Sequence, residues 1–135
     1  METLPSGLPK QVGDTEDLAR FLTQSNHFNS VMAKPVAFLP NPKHKNTSVF
    51  RASNDSEKLQ QVWQSTSTGE RTLKGIAIFK AIHVRAANLD VIAAEPPPAH
   101  ANIEQWPWIE DPDLQRAKQL EHAQKIAQFA DVIKF

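Results

Sequence analysis

The sequence predicts an α+β fold: a small, mostly antiparallel sheet with helices on one face and a long C-terminal helix. Three observations support this. Helix-type and strand-type hydrophobic patterns follow one another in the order helix, strand, strand, helix, strand, helix. The 135 residues fit one domain, and 40% of them are hydrophobic, which suffices for a core. The strands are few and short, so a barrel-like sheet is the alternative.

The first element is predicted to be a helix. Residues 1–13 contain two prolines and two glycines and little to bury, so they are expected to form a flexible arm before a single domain over residues 14–135. Asp14 or Thr15 can cap a helix there. Leu18, Phe21 and Leu22 have the spacing of one helical face.

Two short strands and a second helix are predicted next. Val36–Leu39 and Thr47–Arg51 are rich in apolar, aromatic or β-branched residues, which is typical of strands. Asn54 and Glu57 then have the spacing of a helix capping box. The buried face of that helix is expected to be Leu59, Val62 and Trp63.

A longer strand, a stiff connection and the last helix complete the domain. Lys74–Arg85 alternates with period two, and Leu89–Ile92 resumes an apolar pattern. The prolines after Glu95 predict a polyproline-like spacer. Asp111 and Pro112 form a strong helix start, with a stripe expected at Leu114, Ala117, Leu120, Ala123, Ile126 or Ala127, and Ala130. Residues 132–135 either end this helix or add a strand.

Composition and charge exclude several function classes. Without cysteine, the chain has no disulfide, thiolate metal site or cysteine nucleophile. Fifteen basic and fifteen acidic residues lower the expectation of a duplex-binding protein, although nucleic acid stays a candidate partner. The five histidines lack metal-site spacing and no glycine-rich phosphate loop occurs, so neither a metal nor a cofactor is expected. The absence of a signal-like start and of a long apolar run predicts a cytoplasmic protein without membrane contact.

Basic residues near two predicted strands form the first candidate site. They are Arg51, Lys80, His83 and Arg85, joined by His100 from a later loop. Such a group could cleave phosphodiesters without a metal, with His100 moving protons and Arg51 and Arg85 stabilising negative charge. The alternative is an ordinary solvated strand surface.

The second candidate site is the segment of residues 95–108. Its prolines would hold His100 in a fixed place, with Asn102 or Glu104 orienting the imidazole, and histidine titrates near neutral pH. Trp106 and Trp108 could form a stacking surface. In the alternative interpretation, His100 binds the backbone and the tryptophans pack on the core.

Two resemblances follow from short motifs. Ser65-Thr66-Ser67, with Arg51 upstream, resembles the Ser-Thr-Ser element of arginine-specific ADP-ribosyltransferases, but the Glu-x-Glu pair of those enzymes is missing. A loop that ends a helix also explains this segment. Over residues 18–135, three motifs resemble a group of small bacterial proteins without an established activity: Ser48–Arg51, Gly75-x-Ala77 and the run from Pro96 to Pro107. That resemblance implies a bacterial cytoplasmic protein, and such domains often accompany restriction and phage-defence systems.

These observations favour a binding or accessory domain of a multi-protein system, related to defence or nucleic acid, that recognises a protein partner through residues 95–108. The alternative is the metal-independent nuclease built on His100, Arg51 and Arg85. A third possibility is a structural subunit whose exposed tryptophans are covered by a partner.

Overall fold

The computed structural model describes residues 2–51, 56–67, 69 and 71–135 and confirms the α+β class. The sheet has six strands in the order β4-β5-β2-β1-β3-β6, and every neighbouring pair is antiparallel. The strands are β1 (Asp17–Leu22), β2 (Thr47–Arg51), β3 (Gly75–Lys80), β4 (Asp90–Ala93), β5 (His100–Glu104) and β6 (Asp131–Lys134). The helices are α1 (Ser56–Thr66), α2 (Ala81–Ala86) and α3 (Pro112–Ala127). The sheet is open, with β4 and β6 at its edges in the described ranges, and is not a barrel.

The central strand β1 corrects the prediction of a first helix. Asp17–Leu22 pairs with β3 along its whole length and with β2 at Leu18 and Ala19. Leu18 and Leu22 lie in one hydrophobic cluster, while Ala19 lies in the other. A central strand buries apolar residues on both faces, so its pattern need not alternate. The apolar spacing at Leu18, Phe21 and Leu22 therefore looks helical although the residues form a strand.

Helices cover both faces of the sheet, whereas one face was expected. The larger cluster joins α2 and α3 to one face and includes Val84, Ile126 and Phe79. Phe38 is fully buried there, and its ring meets the Phe79 ring edge-on at 5.4 Å. On the other face, Leu59 of α1 packs with Ala19, Ile76 and Ile78.

Of the predicted strands, one is correct only in its first half and another is not a strand at all. The strand predicted over Lys74–Arg85 ends at Lys80, and Ala81–Ala86 forms α2. Ala81 and Val84 are buried three residues apart while Ile82 is 47% exposed, which is a helical and not an alternating pattern. The predicted strand at residues 36–39 is instead a 3-10 helix over Pro35–Phe38, because proline favours the first turn of a helix.

The C-terminal region follows the predicted start of α3 closely. The Asp111 carboxylate accepts hydrogen bonds from the amides of Asp113 and Leu114, as a capping aspartate does. The buried residues of α3 are Gln119, Ala123, Ile126 and Ala127, so the expected stripe is buried only in its second half. Of the two alternatives for the last residues, the strand is the one observed, and it is β6.

No helix in the described ranges has the length and apolar character needed to cross a membrane.

The N-terminal segment contacts the domain at several points. Val12 is 2% exposed and belongs to the larger core cluster. Ser6 donates both its amide and its hydroxyl to the carboxylate of Glu95. The flexibility of residues 1–13 stays a prediction. The predicted cap at Asn54 lies outside the described residues.

Candidate functional site

A cavity of about 340 Å³ lies on the α1 face of the sheet. It is lined by residues of β1, β2 and β5 and by residues at and beyond the end of α1. Its polar lining includes Arg20, Ser48, Arg71 and His100, beside aromatic rings. A volume of this size lies near the lower end of the range for small-molecule sites, which is roughly 300–1,000 Å³.

His100 is held in one orientation by two hydrogen bonds. Its Nδ1 lies 2.8 Å from the carbonyl oxygen of Ala94, and its Nε2 lies 2.6 Å from Oγ of Ser48. A carbonyl oxygen can only accept, so Nδ1 must carry the proton. In the neutral imidazole, Nε2 is then the acceptor and the Ser48 hydroxyl is the donor. The predicted orienting roles of Asn102 and Glu104 are therefore filled by Ala94 and Ser48.

The strand register explains why His100 and Ser48 meet. In the β2/β5 pair, His100 lies opposite Phe50, and Ser48 lies opposite Asn102. His100 and Ser48 are thus diagonal neighbours on one face of the sheet, a separation that a long side chain can bridge. The Phe50 ring meets the imidazole at a centroid distance of 5.3 Å and limits its movement.

Arg20 lies where β1 and β2 separate. These strands pair only at Leu18–Arg51 and Ala19–Phe50, and the same register continued would set Phe21 opposite Ser48. The Arg20 guanidinium donates instead to the carbonyl of Ser48 at 2.9 Å and to that of Ala37 at 3.0 Å. Two effects lower the pKa of Arg20 to about 10: burial, which is the larger, and repulsion from Arg71. Arg20 is still charged at neutral pH.

Aromatic rings form the apolar wall of the cavity. The Phe21 ring lies 5.4 Å from the Phe50 ring and 5.4 Å, edge-on, from the Trp63 ring. These residues come from β1, β2 and α1, so the wall depends on the packing of α1 against the sheet. Edge-on and tilted pairs of this kind are favourable and keep ring positions defined.

The structure does not bring Arg51 and Arg85 to His100. Arg51 is 3% exposed and binds both carboxylate oxygens of Glu16, at 2.9 and 3.0 Å. Along β2 it alternates with Phe50, so its side chain is on the sheet face opposite to His100. Arg85 lies on α2 and binds Asp14 and Asp90.

The two other basic candidates are also engaged elsewhere. Lys80 forms an ion pair with Asp17 at 3.1 Å, across the β1/β3 pair. The His83 ring stacks on the exposed Phe129 ring at 4.2 Å, with an angle of 8° between the planes. Neither residue is among the described residues that line the cavity.

The connection before β5 folds back and is not the extended spacer that was expected. β4 and β5 are adjacent antiparallel strands, so residues 94–99 form a hairpin connection. The Glu95 carboxylate accepts from the Ala99 amide, and the Pro97 carbonyl accepts from the His100 amide. This turn places Pro97 beside His100 in the cavity lining.

The two tryptophans of residues 95–108 differ in environment. Trp106 is 3% exposed in the core, where its indole donates to the Ile103 carbonyl, as the core-packing interpretation predicts. Trp108 is 36% exposed, and the ammonium group of Lys45 lies 5.4 Å from the centre of its ring. Asn102 is half-buried on β5. Recognition of a protein partner by residues 95–108 stays a prediction.

Sequence reasoning missed Arg20, Ser48 and Arg71. Two signals were present: Arg20 is the one charged residue within the apolar run from Leu18 to Leu22, and Ser48 opens one of the motifs quoted above. Thr66 and Ser67 of the Ser-Thr-Ser element also line the cavity.

In the part of the chain that the structure describes, no group of three acidic or histidine side chains could hold a metal ion.

The chain matches no protein-family model, no curated protein and no solved structure.

Proposed function

We propose that this chain is a binding domain whose ligand site is the cavity around His100, and that its ligand is a small molecule with a phosphate group and a flat apolar ring. One observation carries the proposal. The described residues that line the cavity include two arginines and a histidine but no aspartate or glutamate. A site with this excess of cationic groups favours an anion.

The two arginines differ in a useful way. Neither forms an ion pair with a residue that the structure describes, whereas Arg51 and Arg85 both do. Arg20 is fixed by two carbonyl groups, whereas Arg71 is exposed and can turn toward a ligand. Guanidinium groups bind phosphate through paired, charge-assisted hydrogen bonds, which makes phosphate the anion these side chains suit best.

The aromatic wall supports the second half of the proposal. Phe21, Phe50 and Trp63 give the cavity an apolar side next to its cationic groups. A flat ring packs well on such a surface, and base–aromatic stacking contributes about 1–3 kcal/mol per base in single-stranded nucleic-acid complexes. A single nucleotide combines both chemical features, and the cavity volume fits one small ligand better than a duplex.

The test is calorimetric titration of the full chain with adenosine 5′-monophosphate, adenosine and inorganic phosphate. The expected order of affinity is nucleotide first, with each fragment weaker by tenfold or more. Arg71→Gln should weaken nucleotide binding about tenfold, which corresponds to ~1.4 kcal/mol, and should leave adenosine binding unchanged. Arg116→Gln, on the exposed side of α3, is the matched control. Absence of nucleotide binding, or equal effects of the two substitutions, would contradict the proposal.

A further inference from the structure

We infer that Ser48 and His100 form a nucleophile–base pair that cleaves phosphate monoesters bound in the cavity. This inference rests on the proposed function, because it uses the same cavity and ligand class. It adds an activity: the serine oxygen attacks the phosphorus atom of the bound ester.

The hydrogen-bond pattern prepares Ser48 for this role. The Ala94 carbonyl keeps the proton of His100 on Nδ1, so Nε2 is free to accept the proton of the Ser48 hydroxyl 2.6 Å away. A nucleophile bonded to a base, with the base oriented by a third group, is the general arrangement of serine-based covalent catalysis. Here the third group is a main-chain carbonyl in place of a carboxylate.

Exposure and charge at the site are consistent with the chemistry. Ser48 is exposed, and both Ser48 and His100 line the cavity, so a ligand can reach the hydroxyl. The Arg20 guanidinium is bonded to the carbonyl of Ser48 itself at 2.9 Å, which fixes one positive charge beside the nucleophile. With Arg71 it supplies two positive charges, matching the double negative charge of a phosphate monoester.

The reaction balances with water as the only co-reactant. Ser48 Oγ forms a bond to phosphorus, its proton moves to Nε2 of His100, and the bond from phosphorus to the ester oxygen breaks. The departing oxygen lies in line, on the far side of phosphorus from Ser48 and His100, so it takes a proton from water and leaves as an alcohol, with hydroxide formed. Hydroxide attacks the phosphoserine from that same side, and Ser48 leaves as a hydroxyl with the proton that His100 held. The products are one alcohol and one inorganic phosphate.

The first experiment measures the nucleophile directly. The full chain is treated with diisopropyl fluorophosphate, a phosphorus electrophile that needs neither arginine for binding, and the labelled residue is found by peptide mass spectrometry. The label is expected on Ser48 in the wild type and in Ser30→Ala, which changes an exposed serine of another loop. It should be absent in Ser48→Ala and at least about 100-fold slower in His100→Gln, the typical contribution of a general base. Circular dichroism establishes that each variant is folded.

The second experiment measures turnover with para-nitrophenyl phosphate. Wild type and Ser30→Ala should release nitrophenol, and Ser48→Ala should release none above the buffer rate. If Ser48 is not labelled, or if Ser48→Ala retains the wild-type rate, the nucleophile–base pair is refuted. Failure of the proposed function looks different, because the nucleotide titration would then fail whether or not fluorophosphate labels Ser48. Because Ser48→Ala removes one oxygen from an exposed position, it tests the inference even if His100→Gln does not fold.

Discussion

Replacing Arg51 by methionine should destabilise the fold without affecting the cavity. Arg51 was a candidate for phosphate chemistry, but its guanidinium is almost fully buried and binds Glu16 through two parallel hydrogen bonds. It also donates to the Pro9 carbonyl at 2.7 Å. These contacts join β2 to the segment before β1, so Arg51 has a structural role in this geometry.

The size of the effect follows from the unequal burial of the two partners. Removing one partner of a buried ion pair costs about 3–5 kcal/mol, because the remaining charge lacks compensation. The Glu16 side chain is 27% exposed, so water can hydrate it once Arg51 is gone, and Arg51→Met should cost ~3 kcal/mol. The Arg51 side chain is only 1% exposed, so Glu16→Ala leaves a charge that water reaches poorly and should cost ~4 kcal/mol.

Urea unfolding followed by circular dichroism measures these costs. In a small domain the free energy of unfolding typically falls by ~2 kcal/mol for each molar of urea. Arg51→Met should therefore lower the urea midpoint of unfolding by ~1.5 M. The Arg51→Met/Glu16→Ala double variant should lose ~1–3 kcal/mol less unfolding free energy than the two single losses added together, since both substitutions remove the same interaction. Arg116→Met, an exposed arginine on α3, should change stability by less than ~0.5 kcal/mol.

Two results would refute this reasoning about Arg51. One is a midpoint shift for Arg51→Met no larger than that of Arg116→Met. The other is strict additivity of the Arg51→Met and Glu16→Ala costs. Nucleotide affinity should stay within twofold of wild type in Arg51→Met, because Arg51 and the cavity are on opposite faces of the sheet.

Three further predictions concern packing and pH. Gly75→Ala should cost ~1–3 kcal/mol in thermal unfolding, since an added Cβ would lie 2.9 Å from a ring carbon and 3.0 Å from a carbonyl oxygen, whereas Gly69→Ala should be nearly neutral. Trp106→Ala should cost ~3–5 kcal/mol by urea unfolding, because it empties a core position. Stability measured against pH should fall in two stages on acidification. Burial, with repulsion from two cationic side chains, lowers the pKa of His27, so its contribution is lost as the pH falls below 6.5. Burial raises the pKa of Glu16, but hydrogen bonds and nearby arginines outweigh this and lower it overall, so its contribution is lost below pH 4.5. Stability that stays flat from pH 7 to 5 would contradict the assignment of His27, and stability that stays flat from pH 5 to 3 would contradict that of Glu16.

Local signals predicted part of the fold well. The start of α3 was predictable because Asp111, Pro112 and Asp113 satisfy the free amides and the dipole of a helix start through neighbouring residues alone. The strand Thr47–Arg51 was predictable from its β-branched and aromatic residues. In both cases the determining interactions lie within a few residues of sequence.

The errors occur where contacts distant in sequence decide the structure. Asp17–Leu22 is a strand because β2 and β3 pair with it on both sides, and no local pattern reveals that pairing. The alternation after Lys74 extends past Lys80 in the sequence, yet the chain turns into α2, which packs against α3.

The same distinction holds for the candidate site. His100 could be singled out from sequence because histidine is chemically versatile and follows a run of prolines. Ser48 and Arg20 could not, because they are 52 and 80 positions away from His100. Ser48 meets His100 only through the pairing of β2 with β5, and Arg20 reaches the Ser48 carbonyl only where β1 separates from β2.

The sequence by itself determined the class of the fold and its best-capped helix, since these depend on composition and on short-range hydrogen bonding, and it singled out His100 for its chemistry. The tertiary structure alone decided which cations stay available to a ligand. Arg51 and Arg85 are taken up by carboxylates on the opposite side of the sheet, while Arg20 and Arg71 remain beside His100. Ion pairing depends on distance in space, and that distance is fixed only when the strands have found their register.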